Sequence, residues 1–380
     1  MHSSPLIQTS QVHVDPSVID LGVGQPQLSL LPLERIRLAA EQRFAQGDPI
    51  FLQYGAEQGD GYLRMELARF LSQGYGFPVD SQELFITSGA SMGLDLICTL
   101  YTRAGDTVFV EEPSYFLALR IFADHHLQPV AIPVDENGLI VAALEEALAH
   151  HRPAFLYTIP SFQNPSGYSL SQERRARLAA LSLEYDFLIV ADEVYHFLSY
   201  AAQPPKAFAG YISQGNILSV GSFSKILAPG LRLGWVQTDP QRVKGLAGSG
   251  LLDSGGGLNP FTSAIVRGVL ESDGLQENIA ELRATYGARV KAMAEALQKY
   301  LPQVTYQVPQ GGYFFWVRLP EGIDAEALMA RAEKHKVSYR PGKLFSSQDG
   351  LCEYARLCFA FYDAEQLEQG VERLKLALEE

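Results

Sequence analysis

The clearest candidate for a reactive side chain is a lysine that lies among apolar and hydroxyl residues. Lys225 follows the apolar run Ile217–Val220 in a small loop that also contains Ser222. A second basic residue, Arg232, comes shortly after it. Desolvation and a nearby cation both favour the neutral form of an amine, which is the nucleophilic form. We therefore predict that Lys225 is a nucleophile, although most lysines are solvated surface side chains.

The segment around Lys225 resembles the Schiff-base segment of fold type I pyridoxal-phosphate enzymes of the aspartate aminotransferase superfamily. Its pattern is Ser-x-x-Lys followed by Gly-x-Arg-x-Gly. The resemblance implies that Lys225 forms a Schiff base with the cofactor aldehyde, while Ser222 and Arg232 hold the phosphate. A planar, permanently charged guanidinium suits a phosphate dianion.

A carboxylate ends another apolar run. Asp192 follows Phe187–Ala191, a predicted strand, and ligands of parallel sheets usually bind at the carboxyl ends of the strands. A helix N-cap is the ordinary alternative for Asp192. The resemblance implies that Asp192 pairs with the pyridine nitrogen of the cofactor and that Tyr195 donates to its ring oxygen. We expect the intervening Glu193 to be structural.

Small residues between a strand and a helix predict an anion site. The predicted strand is Leu84–Thr87, and the predicted helix is Leu94–Tyr101. The N-terminus of a helix presents free N–H groups and the positive end of its dipole. A plain serine N-cap is a compatible alternative. The resemblance implies that the loop holds the cofactor phosphate through Ser88, Gly89, Ala90 and Ser91.

Three residues are assigned to the cofactor or its partner subunit by the resemblance, and each also has an ordinary explanation as a turn or core residue. Tyr115 follows a predicted strand, and an aromatic face at this point stacks on the electron-poor cofactor ring. Asn164, in an Asn-Pro-x-Gly turn, is expected to contact the ring oxygen and the substrate. Tyr54 is expected to reach the cofactor phosphate of the other subunit of a homodimer.

Two residues besides Asn164 are assigned to the substrate. Arg356, in an Arg-Leu-x-Phe context, resembles the family's arginine for the substrate α-carboxylate, although a lone arginine on a strand is more often exposed or salt-bridged. A bidentate fork to a carboxylate requires arginine. Gly24 resembles the substrate-facing glycine of the opening loop. Arg340 could read a distal carboxylate, but its loop position favours an ordinary surface role.

Strands alternate with helices from Leu84 to Val236, which predicts an open, largely parallel sheet. The resemblance implies an α/β fold, with a large domain whose mainly parallel, seven-stranded-type sheet is sandwiched by helices, and a smaller α+β domain. We expect residues 1–45 to be an N-terminal segment belonging to the small domain, 46–274 the large cofactor-binding domain, and 275–380 the C-terminal small domain.

The resemblance is nearest to the 2-aminoadipate and kynurenine aminotransferase-like subgroup. It implies a pyridoxal 5'-phosphate-dependent aminotransferase that moves an amino group from an L-amino acid to a 2-oxo acid, with 2-oxoglutarate a common acceptor. Two alternatives remain open, because one fold and cofactor serve many reactions. They are another reaction of this cofactor, such as a C–S β-lyase, and a non-catalytic sensor module.

Composition limits the partners of the chain. Its 380 residues carry a formal charge of −13, which argues against nucleic acid or an anionic membrane as a partner. The three cysteines form no Cys-x-x-Cys pair, as is typical of proteins from a reducing compartment. The N-terminus has no signal-peptide pattern, and no apolar run approaches the ~20 residues of a membrane helix. We expect a cytoplasmic homodimer without a metal site.

Overall fold

The computed structural model describes residues 10–12, 14–200 and 206–380. Within them the chain forms the following strands: β1 (Ile19–Asp20), β2 (Leu84–Thr87), β3 (Thr107–Glu112), β4 (Gln128–Asp135), β5 (Gly138–Leu139), β6 (Phe155–Thr158), β7 (Leu188–Asp192), β8 (Ile217–Ser222), β9 (Gly234–Gln237), β10 (Phe314–Arg318), β11 (Val337–Ser338), β12 (Arg340–Pro341) and β13 (Tyr354–Cys358). The α-helices of the same residues are α1 (Leu33–Ala45), α2 (Gly61–Tyr75), α3 (Ala90–Tyr101), α4 (Phe116–Asp124), α5 (Val141–His150), α6 (Gln172–Glu184), α7 (Pro240–Ala247), α8 (Gly250–Gly255), α9 (Pro260–Glu271), α10 (Gly274–Tyr300), α11 (Ala325–Lys334) and α12 (Ala364–Glu379).

An eight-stranded sheet dominates the structure, with the strand order β2-β9-β8-β7-β6-β3-β4-β5. The neighbours from β8 to β4 are parallel. β9 runs antiparallel to both β8 and β2, and the two-residue β5 forms an antiparallel pair with β4. The α/β class with a mainly parallel sheet is therefore confirmed, and β5 adds a short edge strand to the seven that were expected.

Helices cover both faces of this sheet, and alternation along β3 shows the two faces. Val108 and Val110 pack into one apolar core, whereas Phe109 between them packs into a second core on the opposite face. Successive strand residues point to opposite faces, so both cores need a covering layer. All residues of β6 and β8 are buried, as is typical of parallel strands covered on both sides.

The carboxyl ends of the parallel strands meet at one edge of the sheet. β7 ends at Asp192 and β8 ends at Ser222. Gly234, at the start of the antiparallel β9, lies between Ser222 of β8 and Thr87, the last residue of β2. The loops that follow β2, β7 and β8 are consequently brought together, although they are far apart in sequence.

A smaller antiparallel sheet, β10-β13-β12, follows the long helix α10, and β1 pairs in parallel with β11 near it. Helix α1 contacts a different part of the chain, because Arg43 Nε donates a hydrogen bond to the carbonyl of Ala264 in α9 at 3.1 Å. β1 thus pairs with a strand of the proposed C-terminal small domain, whereas α1 contacts a helix of the proposed large domain. The domain boundaries given above remain our proposal.

Candidate active site

Lys225 lies just after β8, in contact with the N-terminal segment. Its Nζ donates a hydrogen bond to the carbonyl oxygen of Gly24 at 2.9 Å. The rings of Tyr313 and Tyr195 have their centroids 5.1 and 5.9 Å from Nζ. Burial among these groups lowers the pKa of Lys225 to about 8. A much larger fraction of this amine is neutral at pH 7 than for an ordinary lysine.

Asp192 is buried at the end of β7 and is held by one side chain that sequence reasoning missed. The hydroxyl of Tyr157, on β6, donates a hydrogen bond to Asp192 Oδ2 at 2.9 Å. Burial raises the pKa of Asp192 to about 6, and the Tyr157 hydrogen bond opposes this rise. One signal was available: Tyr157 is a phenol in an otherwise apolar, buried strand, and buried tyrosine hydroxyls usually find a partner.

Two tyrosines expected at the cofactor ring lie beside this carboxylate. Burial raises the pKa of Tyr115 to about 12, and the charge of Asp192 adds to the rise. Burial also raises the pKa of Tyr195 well above its usual value, with smaller contributions from Tyr115 and Asp192. Both phenols therefore stay protonated and can donate hydrogen bonds at neutral pH.

The loop after β2 forms a cradle for an anion. Gly89 is the N-cap of α3 with φ +93°, and a Cβ there would lie 2.8 Å from Arg232 Nη2. Only glycine at position 89 lets the guanidinium of Arg232 come this close to the backbone of the loop. Arg232 Nη2 donates a hydrogen bond to the carbonyl of Ser88 at 3.2 Å. The predicted helix start at Leu94 is wrong, because α3 begins at Ala90. The N–H groups of Ala90 and Ser91 thus belong to the first turn, which has no intrahelical acceptors for them.

Ser222 completes the cradle from the neighbouring strands. Its Oγ accepts the N–H of Ser224 at 3.1 Å and lies 2.9 Å from Ser224 Oγ. Gly234 separates Ser222 from the β2 side, and a Cβ at Gly234 would lie 3.0 Å from Gly89 Cα. A guanidinium, a helix N-terminus and hydroxyl groups converge here, which is the donor set that a phosphate dianion requires. The residues present therefore fit a phosphorylated cofactor.

Arg356 is a buried cation beside the Asn164 turn. Its Nη1 donates to Asn164 Oδ1 and its Nη2 to the carbonyl of Gly22, both at 2.9 Å. The centroid of the Phe314 ring lies 4.1 Å from its Cζ. Burial lowers the pKa of Arg356 to about 10, so it remains charged at neutral pH. Nε has no hydrogen-bond partner, and no carboxylate in the described part of the chain forms an ion pair with Arg356.

Glu193 has the structural role that was expected of it. Its carboxylate accepts hydrogen bonds from the N–H of Phe208 at 3.0 Å and from Ser219 Oγ at 2.7 Å. Arg175 Nη1 lies 3.8 Å from Oε1. These contacts tie the segment after β7 to β8 and to the following turn, behind the strand end that carries Asp192.

Tyr54 is the one assigned residue that the structure leaves outside this group. Its side chain is 84% exposed. The adjacent Gly55 pairs with Gly257 in an isolated bridge, which fixes the backbone at this point. The other assigned residues line the carboxyl edge of the large sheet, the loops that face it and strand β13 of the smaller sheet: Gly24, Ser88, Gly89, Ala90, Ser91, Tyr115, Asn164, Asp192, Tyr195, Ser222, Lys225, Arg232 and Arg356.

The described residues form neither a cluster of metal-ligating side chains nor a helix that could cross a membrane. Within residues 10–12, 14–200 and 206–380, no group of three or more His, Cys, Asp or Glu side chains could hold a metal ion. None of the helices in the described part of the chain is both long enough and apolar enough to cross a bilayer.

The chain is similar to known proteins over almost its whole length. Residues 16–374 match the family model of aminotransferase class I and II. The chain is 33% identical to aromatic-amino-acid aminotransferase 1 of Thermococcus litoralis, over 99% of this chain and 90% of the relative. It is also 33% identical to a 2-aminoadipate transaminase of Thermus thermophilus, over 96% and 90%.

Solved structures show the same likeness. A kynurenine aminotransferase of Pyrococcus horikoshii in complex with PMP superposes with a TM-score of 0.90 at 34% identity, over 96% of this chain and 91% of that chain. The α-aminoadipate aminotransferase LysN of Thermus thermophilus, complexed with N-(5'-phosphopyridoxyl)-L-leucine, gives 0.87 at 31% identity, over 96% and 92%. These relatives favour amino-group transfer over the β-lyase and sensor alternatives.

Proposed function

Because this chain belongs to the aminotransferase class I and II family and is a pyridoxal phosphate-dependent aminotransferase, we propose that Lys225 is the residue that binds the cofactor aldehyde covalently. We propose further that Asp192, Arg356 and the cradle after β2 are its main partners in the reaction. One observation carries this proposal. Lys225 Nζ donates to the carbonyl of Gly24 at 2.9 Å, a Cβ on Gly24 would lie 3.8 Å from Arg356 Nη2, and Asp192 ends the strand paired with the one that precedes Lys225.

The chain's own residues have distinct tasks in this proposal. When bound, the cofactor supplies an electron-accepting ring that allows the Cα proton of an amino acid to leave. Asp192 would pair with the ring nitrogen of the bound cofactor, Tyr115 would stack on its ring, and Tyr195 and Asn164 would donate to its ring oxygen. Its phosphate would be held by the cradle, which consists of Ser88, Gly89, Ala90, Ser91, Ser222 and Arg232.

Lys225 is the proton-transfer group. Its pKa of about 8 keeps an appreciable neutral fraction near neutral pH, and a general base is most effective when its pKa lies near the working pH. The free amine would take up the Cα proton of the substrate at Nζ and would release it again later in the reaction. Arg356 binds the substrate α-carboxylate, and Gly24, whose carbonyl accepts the Lys225 hydrogen bond, faces the bound substrate.

A lysine substitution tests this assignment. Borohydride treatment of the protein with pyridoxal phosphate should place a stable mass label on the peptide that contains Lys225, as mass spectrometry would show. Lys225→Ala should lose the label and at least about a hundredfold of the amino-transfer rate, since a positioned general base contributes roughly 10²–10⁴-fold. Lys299→Ala, at an exposed position of α10, serves as the control. A label on another lysine in the parent protein would contradict the assignment.

The proposed reaction takes the amino group of an L-amino acid to a 2-oxo acid, with 2-oxoglutarate as the acceptor. The names of the relatives support aromatic amino acids and 2-aminoadipate as donors to test first. The decay of the cofactor absorbance on addition of each amino acid, in the absence of an acceptor, ranks the donors directly.

A homodimer is the assembly that we propose. Large apolar side chains are exposed on α9 and on α1, α2 and the segment between α1 and α2, all of which pack against α9, and Phe44, Phe51 and Phe261 form an aromatic cluster there. Apolar patches of this kind mark interfaces, and a two-fold interface uses the same patch on both subunits. The exposed members include Leu33, Phe44, Ile50, Leu52, Tyr54, Tyr62, Met65 and Phe261.

Tyr54 lies within this patch, so we propose that its hydroxyl reaches the phosphate cradle of the partner subunit. Sedimentation should give a dimer, and Tyr54→Phe should weaken pyridoxal phosphate binding while the dimer persists. A monomeric protein with full cofactor affinity would contradict both parts. We also propose a cytoplasmic location, which the three unpaired cysteines support, since free thiols are typical of a reducing compartment.

A further inference from the structure

A second arginine lies beside the arginine that faces the substrate. In the small antiparallel sheet, Arg340 of β12 is directly opposite Arg356 of β13. The side chains of directly opposed residues project from the same face of the sheet, with Cβ atoms about 5 Å apart. Like charges at such a pair of positions are destabilising. The chain as a whole carries a formal charge of −13, so this pair of cations is a local concentration of positive charge that requires a reason.

Arg340 has little compensation from within the protein. Its Nη2 lies 3.8 Å from Asp20 Oδ2, and the side chain is about one-third exposed. Asp20 Oδ1 already accepts the N–H of Gly22 at 2.8 Å. Arg340 donates no hydrogen bond to any residue of the described part of the chain. The five N–H donors of its guanidinium are therefore available to a ligand.

The two guanidinium groups flank the same glycine. Arg356 Nη2 donates to the carbonyl of Gly22 at 2.9 Å, and a Cβ on Gly22 would lie 3.0 Å from Arg340 Nη1. Arg356 is 3% exposed, whereas Arg340 is about one-third exposed, so Arg340 lies on the solvent side of the pair. Burial is the main cause of the lowered pKa of Arg356, and the charge of Arg340 adds to it.

We propose that Arg340 binds the side-chain carboxylate of a dicarboxylic amino acid or 2-oxo acid while Arg356 binds the α-carboxylate. The proposal rests on the proposed function, which places the α-carboxylate on Arg356. A substrate with two carboxylates neutralises both members of the opposed pair, and the planar fork of arginine suits a carboxylate. When the substrate side chain is uncharged, Asp20 remains as the counter-ion of Arg340, so such substrates are not excluded.

Equilibrium binding of two unreactive acids tests this role without turnover. Glutarate and valerate have equal length and differ in that a methyl group of valerate replaces the second carboxylate. Calorimetric titration of the cofactor-loaded protein should show tighter binding of glutarate. Arg340→Gln should weaken glutarate binding about tenfold or more, the size expected for a lost charged hydrogen bond, and should change valerate binding by much less.

Two further variants keep the test specific. Arg318→Gln removes the same charge from a more exposed arginine of the same sheet, 3.9 Å from Glu353, and should leave both affinities as in the parent. In Arg340→Gln, the carboxylate of Asp20 loses its neighbouring cation. The double variant Asp20→Asn/Arg340→Gln also removes this negative charge, and the selective loss of glutarate affinity should persist in it. Recovery of glutarate binding in the double variant would mean that repulsion by Asp20 caused the loss, which overturns the proposal.

The remaining outcomes are also decisive. Equal weakening of glutarate and valerate would show that Arg340 acts on the shared carboxylate through Arg356, and an unchanged glutarate affinity would show that Arg340 is a surface residue. Either result overturns the proposal. Failure of the proposed function has a different signature, namely a parent protein that binds glutarate selectively but transfers no amino group.

Discussion

The hydrogen bond from Tyr157 to Asp192 gives a prediction whose size can be worked out. The Tyr157 hydroxyl donates to Asp192 Oδ2 at 2.9 Å and stabilises the ionised carboxylate. Tyr157→Phe removes this donor and changes nothing else in the shape of the site. A hydrogen bond to a charged group contributes about 1.5–3 kcal/mol, which corresponds to roughly one to two pH units in a pKa.

The direction of the change follows from the sign of the interaction. The pKa of Asp192 is about 6 in the parent protein, so at pH 7 roughly nine-tenths of the carboxylate is ionised. Loss of the donor raises this pKa further, so that about half or less is ionised at pH 7. Only the ionised form can pair with a protonated ring nitrogen. The variant should therefore bind pyridoxal phosphate more weakly at pH 7 and should approach the parent affinity as the pH is raised.

The assay is the dissociation constant of pyridoxal phosphate, measured by absorbance titration between pH 5 and pH 9. In Tyr157→Phe, the pH at which the affinity falls on the acid side of the profile should increase by about one pH unit or more. Tyr339→Phe is the matched control, because Tyr339 is equally buried but its hydroxyl donates to the carbonyl of Ala325 at 2.6 Å, away from Asp192. Coincident profiles for the parent and Tyr157→Phe would refute the reasoning.

Substitutions at two other residues test the phosphate cradle and the carboxylate-binding arginine. Gly89→Ala should reduce the preference for pyridoxal phosphate over unphosphorylated pyridoxal, because the added Cβ would lie 2.8 Å from Arg232 Nη2 and displace this phosphate-binding group. The positive φ at this position adds about 1–3 kcal/mol of strain, which should lower the melting temperature. An undiminished preference for the phosphorylated form would contradict the cradle. Arg356→Gln should lower kcat/KM for amino acids by about tenfold or more, and Arg356→Lys should not restore it because lysine lacks the bidentate fork. Full activity in Arg356→Lys would show that a point charge suffices.

Much of the fold was predictable because the signals are local. The apolar runs before Lys225 and Asp192 predicted strands that the structure confirms as β8 and β7. A strand in a parallel sheet that is covered on both faces must be apolar along its length, so it can be recognised without knowledge of its neighbours. The predicted start of α3 was wrong for a different local reason. The loop ends at Gly89, whose φ is +93°, and the helix begins at Ala90, four residues before Leu94.

The sequence by itself determined the strands, the order of the residues that follow them and, through the resemblance of their motifs, the family and its cofactor. Only the tertiary structure decided that Tyr157 donates to Asp192 and that Arg340 is opposite Arg356. Both contacts depend on how separate strands are placed in register against one another. Register is set by packing across the whole sheet, so the sequence around either residue carries no local signal of its partner.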